Sequence, residues 1–292
     1  MKLKLGLCQM NVTADKEANL RHARELLTKA AAGGAELAML PEMFHCPYEN
    51  AAFPVYAEPA GGESWQALSA AARDNGLWLV GGSVPELADG KIYNTSYIFD
   101  PQGNEVARHR KVHLFDIDVP GGQRFKESDT LAPGDQITLV DTPWGKVGVA
   151  ICFDIRFAEL FRIMGNEGAA LICVPAASNM TTGPAHWDLI FRMRAIDQQC
   201  FVAGCSPARD TGASYVAYGN SLVADPWGSF PLHMDEKEHV QVVDLDLSDL
   251  EKYRGQIPIL AGRRKDLYRT ERMEKKSSRG MEMSRAFSCK VC

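Results

Sequence analysis

The sequence predicts an α/β fold, either a mixed sheet or two packed sheets with helices outside. Helix and strand signals alternate at both ends of the chain, while antiparallel hairpin signals fill its middle. No internal repeat and no Pro- or Ser-rich linker divides the 292 residues.

Residues 2–10 alternate apolar side chains with Lys and Gln, the period of a half-buried strand. A helix is expected over 15–33, with Asp15 as N-cap and Gly33-Gly34 as its stop. A short apolar strand, 36–40, runs into Pro41-Glu42. A second helix over 64–75 leads to a buried strand over 77–84. Strands 93–99 and 105–111 flank the turn Asp100-Pro101-Gln102-Gly103-Asn104, and strands 136–141 and 146–152 flank Thr142-Pro143-Trp144-Gly145. A helix from about 157, a strand 169–175, a helix 184–199 and a strand 200–205 follow. Strands over 215–224 and 239–246 close the pattern.

Bulk properties exclude several classes of function. The net charge of −5 is spread evenly, unlike the basic footprint of a nucleic-acid binder. No apolar run reaches the roughly 18 residues of a membrane span, and the first residues read as a strand rather than a signal peptide. A cytoplasmic location is expected. The eight cysteines are therefore expected to be reduced, most of them as small core side chains.

Three segments carry chemistry. Leu40-Pro41-Glu42 places a carboxylate directly after an apolar strand, where sites of layered α/β folds gather. Alone, it would read as an exposed strand-end glutamate. Arg108 to Asp116 could be an anion patch or a solvated strand, with Lys111 closing its alternating run. Four-residue spacing brings His109 and His113 close together on one face only in a helix, and this segment reads as a strand, so no metal site is expected. Val147 to Phe157 runs from a buried strand through Cys152 into a helical segment, next to free backbone N–H groups. Alone, Cys152 could be another core thiol.

Together the three form one chemical device. A thiol needs a base to become a nucleophile. Glu42 can take the Cys152 proton and pass it to a departing amine. The Lys111 ammonium can stabilise the negative oxygen of a tetrahedral intermediate, with the Phe153 backbone N–H as second donor.

Pro41-Glu42, Arg110-Lys111-Val112-His113-Leu114 and Cys152-Phe153-Asp154-Ile155-Arg156-Phe157 resemble the three signature blocks of the nitrilase superfamily of carbon–nitrogen hydrolases. The resemblance implies a four-layer α-β-β-α sandwich over residues 1–270, with homodimers or higher homo-oligomers paired across the helical layer. It also implies a Glu42–Lys111–Cys152 triad, a thioester intermediate and no cofactor. Residues 113–121, 125–128, 181–187 and 206–210 are similar to the omega-amidase (Nit2-like) branch, which deamidates small dicarboxylic keto-acid amides such as 2-oxoglutaramate. Within that resemblance Glu127 matches a second glutamate that positions Lys111 and the attacking water; the alternative is a surface loop glutamate. Same-mechanism alternatives are an N-carbamoyl-amine hydrolase or a nitrilase. A catalytically silent scaffold is the non-enzymatic one.

Such a substrate carries its own carboxylate, which an arginine fork would hold. Arg156 is the candidate, against an ion pair with Asp154 or Glu159. Tyr48 and Thr182 lie in loops expected to reach the pocket. Trp187 and Arg194 are expected to serve core packing and a solvated or dimer-facing charge. Asn94-Thr95-Ser96 is a formal glycosylation sequon in a strand and carries no expected role. Residues 271–292 hold six basic and three acidic residues without apolar periodicity, and read as a tail or partner-binding arm. A lone Cys289-Lys290-Val291-Cys292 lacks the second ligand pair of a zinc site; a thiol-redox role is its alternative.

Overall fold

The structure, a computed structural model, describes residues 1–273. The tail beyond Met273, with Cys289 and Cys292, lies outside the described residues.

The first half of the chain runs β1 (Lys2–Gln9), α1 (Lys16–Ala32), β2 (Leu37–Met39), α2 (Phe53–Tyr56), α3 (Glu63–Asn75), β3 (Trp78–Val80), β4 (Val84–Ala88), β5 (Lys91–Phe99), β6 (Glu105–Arg110), β7 (Asp116–Asp118) and β8 (Arg124–Lys126). The second half runs β9 (Thr138–Thr142), β10 (Gly145–Val149), α4 (Ala158–Asn166), β11 (Ala169–Pro175), α5 (Gly183–Gln198), β12 (Phe201–Cys205), β13 (Leu222–Ala224), β14 (Leu232–His233), β15 (His239–Asp246) and α6 (Asp249–Gln256).

These strands make two large mixed sheets. One has the order β15-β1-β2-β3-β5-β4, with β6 also on β5; the other runs β14-β13-β12-β11-β10-β9. β7 and β8 form a separate ribbon. The period-2 pattern decides what each face meets. Leu3, Leu5 and Leu7 of β1 join Val147 and Val149 of β10 and Leu171 and Cys173 of β11 in one core between the sheets. The opposite face of the first sheet packs on Leu26, Leu27 and Leu68 of α1 and α3. The opposite face of the second packs on Phe161, Met164, Trp187 and Phe191 of α4 and α5. The order helix, sheet, sheet, helix is the expected four-layer sandwich.

α1 shows how local signals set an element. The Asp15 side chain accepts the Ala18 N–H at 2.9 Å, and Gly33 closes the helix on Lys29 and Ala31. Leu20, Ala23, Leu27 and Ala30 form its buried stripe.

The structure differs from the sequence expectations in several places. The strand over 77–84 is two strands, broken at Gly81-Gly82. Gly82 has φ +61°, and a methyl group there would meet the Pro41 carbonyl oxygen at 2.3 Å. The strand expected to end at Cys152 stops at Val149. Of 215–224, only Leu222–Ala224 is strand. Ribbon β7–β8 and helix α6 were not expected. α6 is polar all round with only Leu250 buried, so it shows no apolar stripe.

Because Gly82 lies under the turn that carries Glu42, Gly82→Ala should disturb both stability and chemistry. We expect a loss of about 1–3 kcal/mol in urea unfolding, from the strained φ and the contact together, with a fall in kcat at saturating substrate.

Candidate active site

Each candidate group sits where a strand has just ended. Glu42 follows β2 in a turn pinned from both sheets. Its N–H reaches the Ala176 carbonyl after β11 at 3.5 Å. The Met43 N–H donates to Ser83 Oγ at 3.0 Å. Lys111 follows β6, and its N–H donates to the Asn94 carbonyl at 2.8 Å. Cys152 opens a short 3₁₀ turn, Cys152–Arg156, three residues after β10 ends at Val149. Its φ is +44°, a left-handed value rare for a residue with a Cβ. Cys152 and Phe153 occupy the first positions of that turn, where backbone N–H groups have no intrahelical partner.

The side chains converge. Lys111 is fully buried, and its Nζ lies 2.8 Å from Glu42 Oε1 and 2.9 Å from Glu127 Oε2. Burial alone would lower its pKa, but the Glu127 and Glu42 carboxylates outweigh that and hold the ammonium well above its ordinary range. Glu42 is also fully buried. Burial pushes its carboxyl up; Lys111 opposes the shift and Glu127 adds to it. Its Oε1 also accepts the Asn94 amide at 2.8 Å, while Oε2 has no partner within the hydrogen-bonded network. The Glu42 carboxyl and the Cys152 thiol are close enough to shift each other's titration. Burial first, then Glu42, pushes the thiol up; Lys111 and a hydrogen bond from the Ala177 backbone pull it down.

Glu127 is fully buried rather than on a surface loop. Both of its oxygens are engaged: Oε1 by Tyr48 Oη at 2.6 Å and Lys111 at 3.0 Å, and Oε2 by the Phe115 N–H at 2.6 Å. The Tyr48 hydroxyl is thus committed to the carboxylate network, although Tyr48 also lines a cavity of about 290 Å³ beside Glu42. A smaller cavity on the Cys152 side is lined by Phe153, Arg156, Asn179, Thr182 and His186. Ala177 and Tyr215 form the wall common to both.

Residues 4–255 match the family model described as carbon-nitrogen hydrolase. The chain belongs to the carbon–nitrogen hydrolase family. It is 51% identical over 270 residues to the omega-amidase NIT2-A of Xenopus laevis, covering 92% of this chain and 98% of that one. It is 47% identical over 268 residues to the omega-amidase NIT2 of Homo sapiens, covering 92% and 97%. Among solved structures it is similar to Saccharomyces cerevisiae Nit3, described as a member of branch 10 of the nitrilase superfamily. The TM-score is 0.83 at 40% identity, covering 90% of this chain and 96% of that one. The C. elegans NitFhit protein matches with TM-score 0.85 at 31% identity, covering 95% and 68%.

This carbon–nitrogen hydrolase holds several site groups that sequence reasoning passed over. Asn94, part of the dismissed sequon, is the buried amide donor to Glu42. Tyr215 stacks 4.5 Å from Tyr48 and donates to the Ala177 carbonyl at 2.5 Å. Arg194 is buried rather than solvated. Its guanidinium holds the Ile155 and Arg156 carbonyls at 2.7 and 3.0 Å, bracing the Cys152 turn. Trp187 is core, as expected, and donates to the Asn220 carbonyl. Arg156 meets His186 Nδ1 at 3.2 Å and lies over the Phe153 ring. His109 and His113 both turn to Asp154, Arg156's proposed alternative partner. Thr182 lies beside Asn179, which accepts its N–H and hydroxyl.

Lys111→Met would leave two buried carboxylates facing each other without a cation. We expect a loss of about 3–5 kcal/mol in urea unfolding at pH 8. A carboxyl whose folded pKa is raised loses stability as pH rises. The gap to the unmodified protein should therefore narrow as pH is lowered from 8 toward 5, because the raised Glu42 carboxyl takes up a proton more readily.

Proposed function

We propose that the protein is a cysteine-dependent omega-amidase, releasing ammonia from the terminal amide of a small dicarboxylic keto acid. The observation that carries this reading is the meeting of Cys152, Glu42, Lys111 and Glu127 at one point, in a chain about half identical to proteins named omega-amidase.

The Cys152 thiol gives its proton to Glu42, and the sulfur attacks the amide carbon. The carbonyl oxygen becomes an anion beside the Lys111 ammonium and the Phe153 N–H; one such donor is worth on the order of 3–4 kcal/mol of barrier. The carbon–nitrogen bond breaks, and the leaving nitrogen takes the proton from Glu42 as ammonia. A thioester remains on Cys152. Glu42 then accepts a proton from a water that attacks this thioester, and the acid leaves as the thiol is restored. Glu127 takes no proton; it holds Lys111.

Arg156 and Thr182 are the proposed contacts for the substrate's own carboxylate, supported by their place in the cavity with Cys152. Tyr48 contributes through its ring on the neighbouring wall. Pairing into homodimers across the helical layer is supported by exposed Leu189 and Met193 on α5. A cytoplasmic location is supported by the six described cysteines, all free thiols. Among the described residues no helix is long and apolar enough to cross a membrane.

Cys152→Ala should abolish ammonia release from 2-oxoglutaramate while leaving the circular dichroism spectrum intact; turnover in that variant would remove the reading. Arg156→Leu should raise KM roughly tenfold or more for keto-acid amides, the loss of a charge-assisted bond, and leave KM for a neutral amide nearly unchanged. Equal effects on both would give Arg156 a purely structural role.

A further inference from the structure

Four polar contacts that the reaction does not use meet at Asp154. The carboxylate is fully buried. Its Oδ1 accepts the His113 backbone N–H at 2.8 Å and meets His113 Nδ1 at 2.8 Å. Its Oδ2 accepts the Ile151 N–H at 3.0 Å and meets His109 Nε2 at 3.0 Å. Burial opposes its ionisation, but the two histidines outweigh that and hold the carboxyl well below the usual aspartate range. His109 in turn reaches Thr138 Oγ1 on β9 through Nδ1, at 3.1 Å.

The origin of these partners matters. Ile151 is bonded to Cys152. His109 and His113 stand two residues before and two residues after Lys111. One carboxylate therefore ties the turn that carries the thiol, on the second sheet, to the strand end that carries the ammonium, on the first. The apolar core between the sheets cannot set that distance, because hydrophobic contact is non-directional. Four directed bonds can. A buried ion cluster is also weak evidence for stability alone, since breaking even with an apolar replacement is common.

We propose that Asp154, with His113 and His109, is a positioning residue that sets the separation of the Cys152 thiol and the Lys111 ammonium without touching substrate. The proposal rests on the reading of Cys152 as nucleophile and Lys111 as oxyanion donor. A misplacement of about 1 Å at such a site can lower the rate on the order of a hundredfold.

The test compares Asp154→Asn, His113→Leu and His113→Asn with Cys152→Ala, all on the full chain with 2-oxoglutaramate. Asp154→Asn keeps the shape but turns one acceptor into a donor. His113→Leu removes the side-chain donor, while His113→Asn restores an N–H near the same oxygen. We expect kcat to fall at least about tenfold in Asp154→Asn and His113→Leu, with KM within about twofold, and most of that kcat to return in His113→Asn. If Asp154→Asn fails to fold, the half-exposed His113 pair decides alone. Unchanged kcat in the folded variants, a loss confined to KM, or no recovery in His113→Asn would overturn the proposal. Turnover by Cys152→Ala would locate the failure in the underlying reading; an inactive Cys152→Ala beside fully active clamp variants would locate it in Asp154.

Discussion

The site depends on one buried ammonium held between two carboxylates. Lys111 cannot be buried without them, and burial pushes the Glu42 carboxyl up where the Lys111 ammonium pulls it down. The cluster sets two carboxyl groups against one ammonium. Hydrogen bonding tells the two carboxyls apart. Glu127 has both oxygens engaged by a hydroxyl, a backbone N–H and the ammonium. Glu42 has one oxygen saturated and one without a partner in the network. The free oxygen belongs to the carboxyl whose affinity for a proton is raised. On the proposed reading, two identical functional groups thus separate into a holder and a base, and the separation follows from environment.

The fold supplies the convergence. Glu42 and Lys111 leave the first sheet, and Cys152 leaves the second, so all three meet only because the sheets pack face to face. Within the first sheet, the chain after β2 passes so close to the break between β3 and β4 that position 82 needs glycine. The left-handed φ at Cys152 is a local strain that the surrounding contacts must hold. Arg194 helps from the helical layer by taking two carbonyls at the end of the same turn. The outer helices therefore reach the chemistry as well as covering the sheet.

Much of this was legible in the sequence, for physical reasons that can be named. Strand ends show as apolar alternation broken by a charged residue, which exposed Glu42 and Lys111, and the passage from a buried strand into a helical segment exposed Cys152. Asp15 and Gly33 bounded α1 because caps are local. What was not legible depends on long-range partners. Asn94 looks like any polar strand residue until β5 is laid beside Glu42. His109 and His113 failed the helical-spacing test for a metal, and no local pattern shows that both face a carboxylate more than forty residues later. Arg194 reads as a surface charge because its carbonyl partners lie some forty residues away. α6 escaped because its helix has almost no apolar face.

The charge pattern around the site also orients the reacting molecule on the proposed reading. The cavity beside Glu42 is lined by Glu42, Glu49 and Asp210 and by no cationic side chain. The cavity beside Cys152 carries Arg156 and His186 and no carboxylate. An anionic amide placed with its carboxylate toward Glu42 would face three carboxyl groups and no cationic side chain on that cavity's lining. Turned around, its carboxylate lies toward Arg156, and its amide toward the thiol and the base. The same asymmetry acts on the products. The acid is retained on the cationic side, whereas ammonia is released next to the group that has just protonated it. A site with two carboxyl groups at its centre can therefore process an anion, provided that the anionic end is kept on the far side of the sulfur.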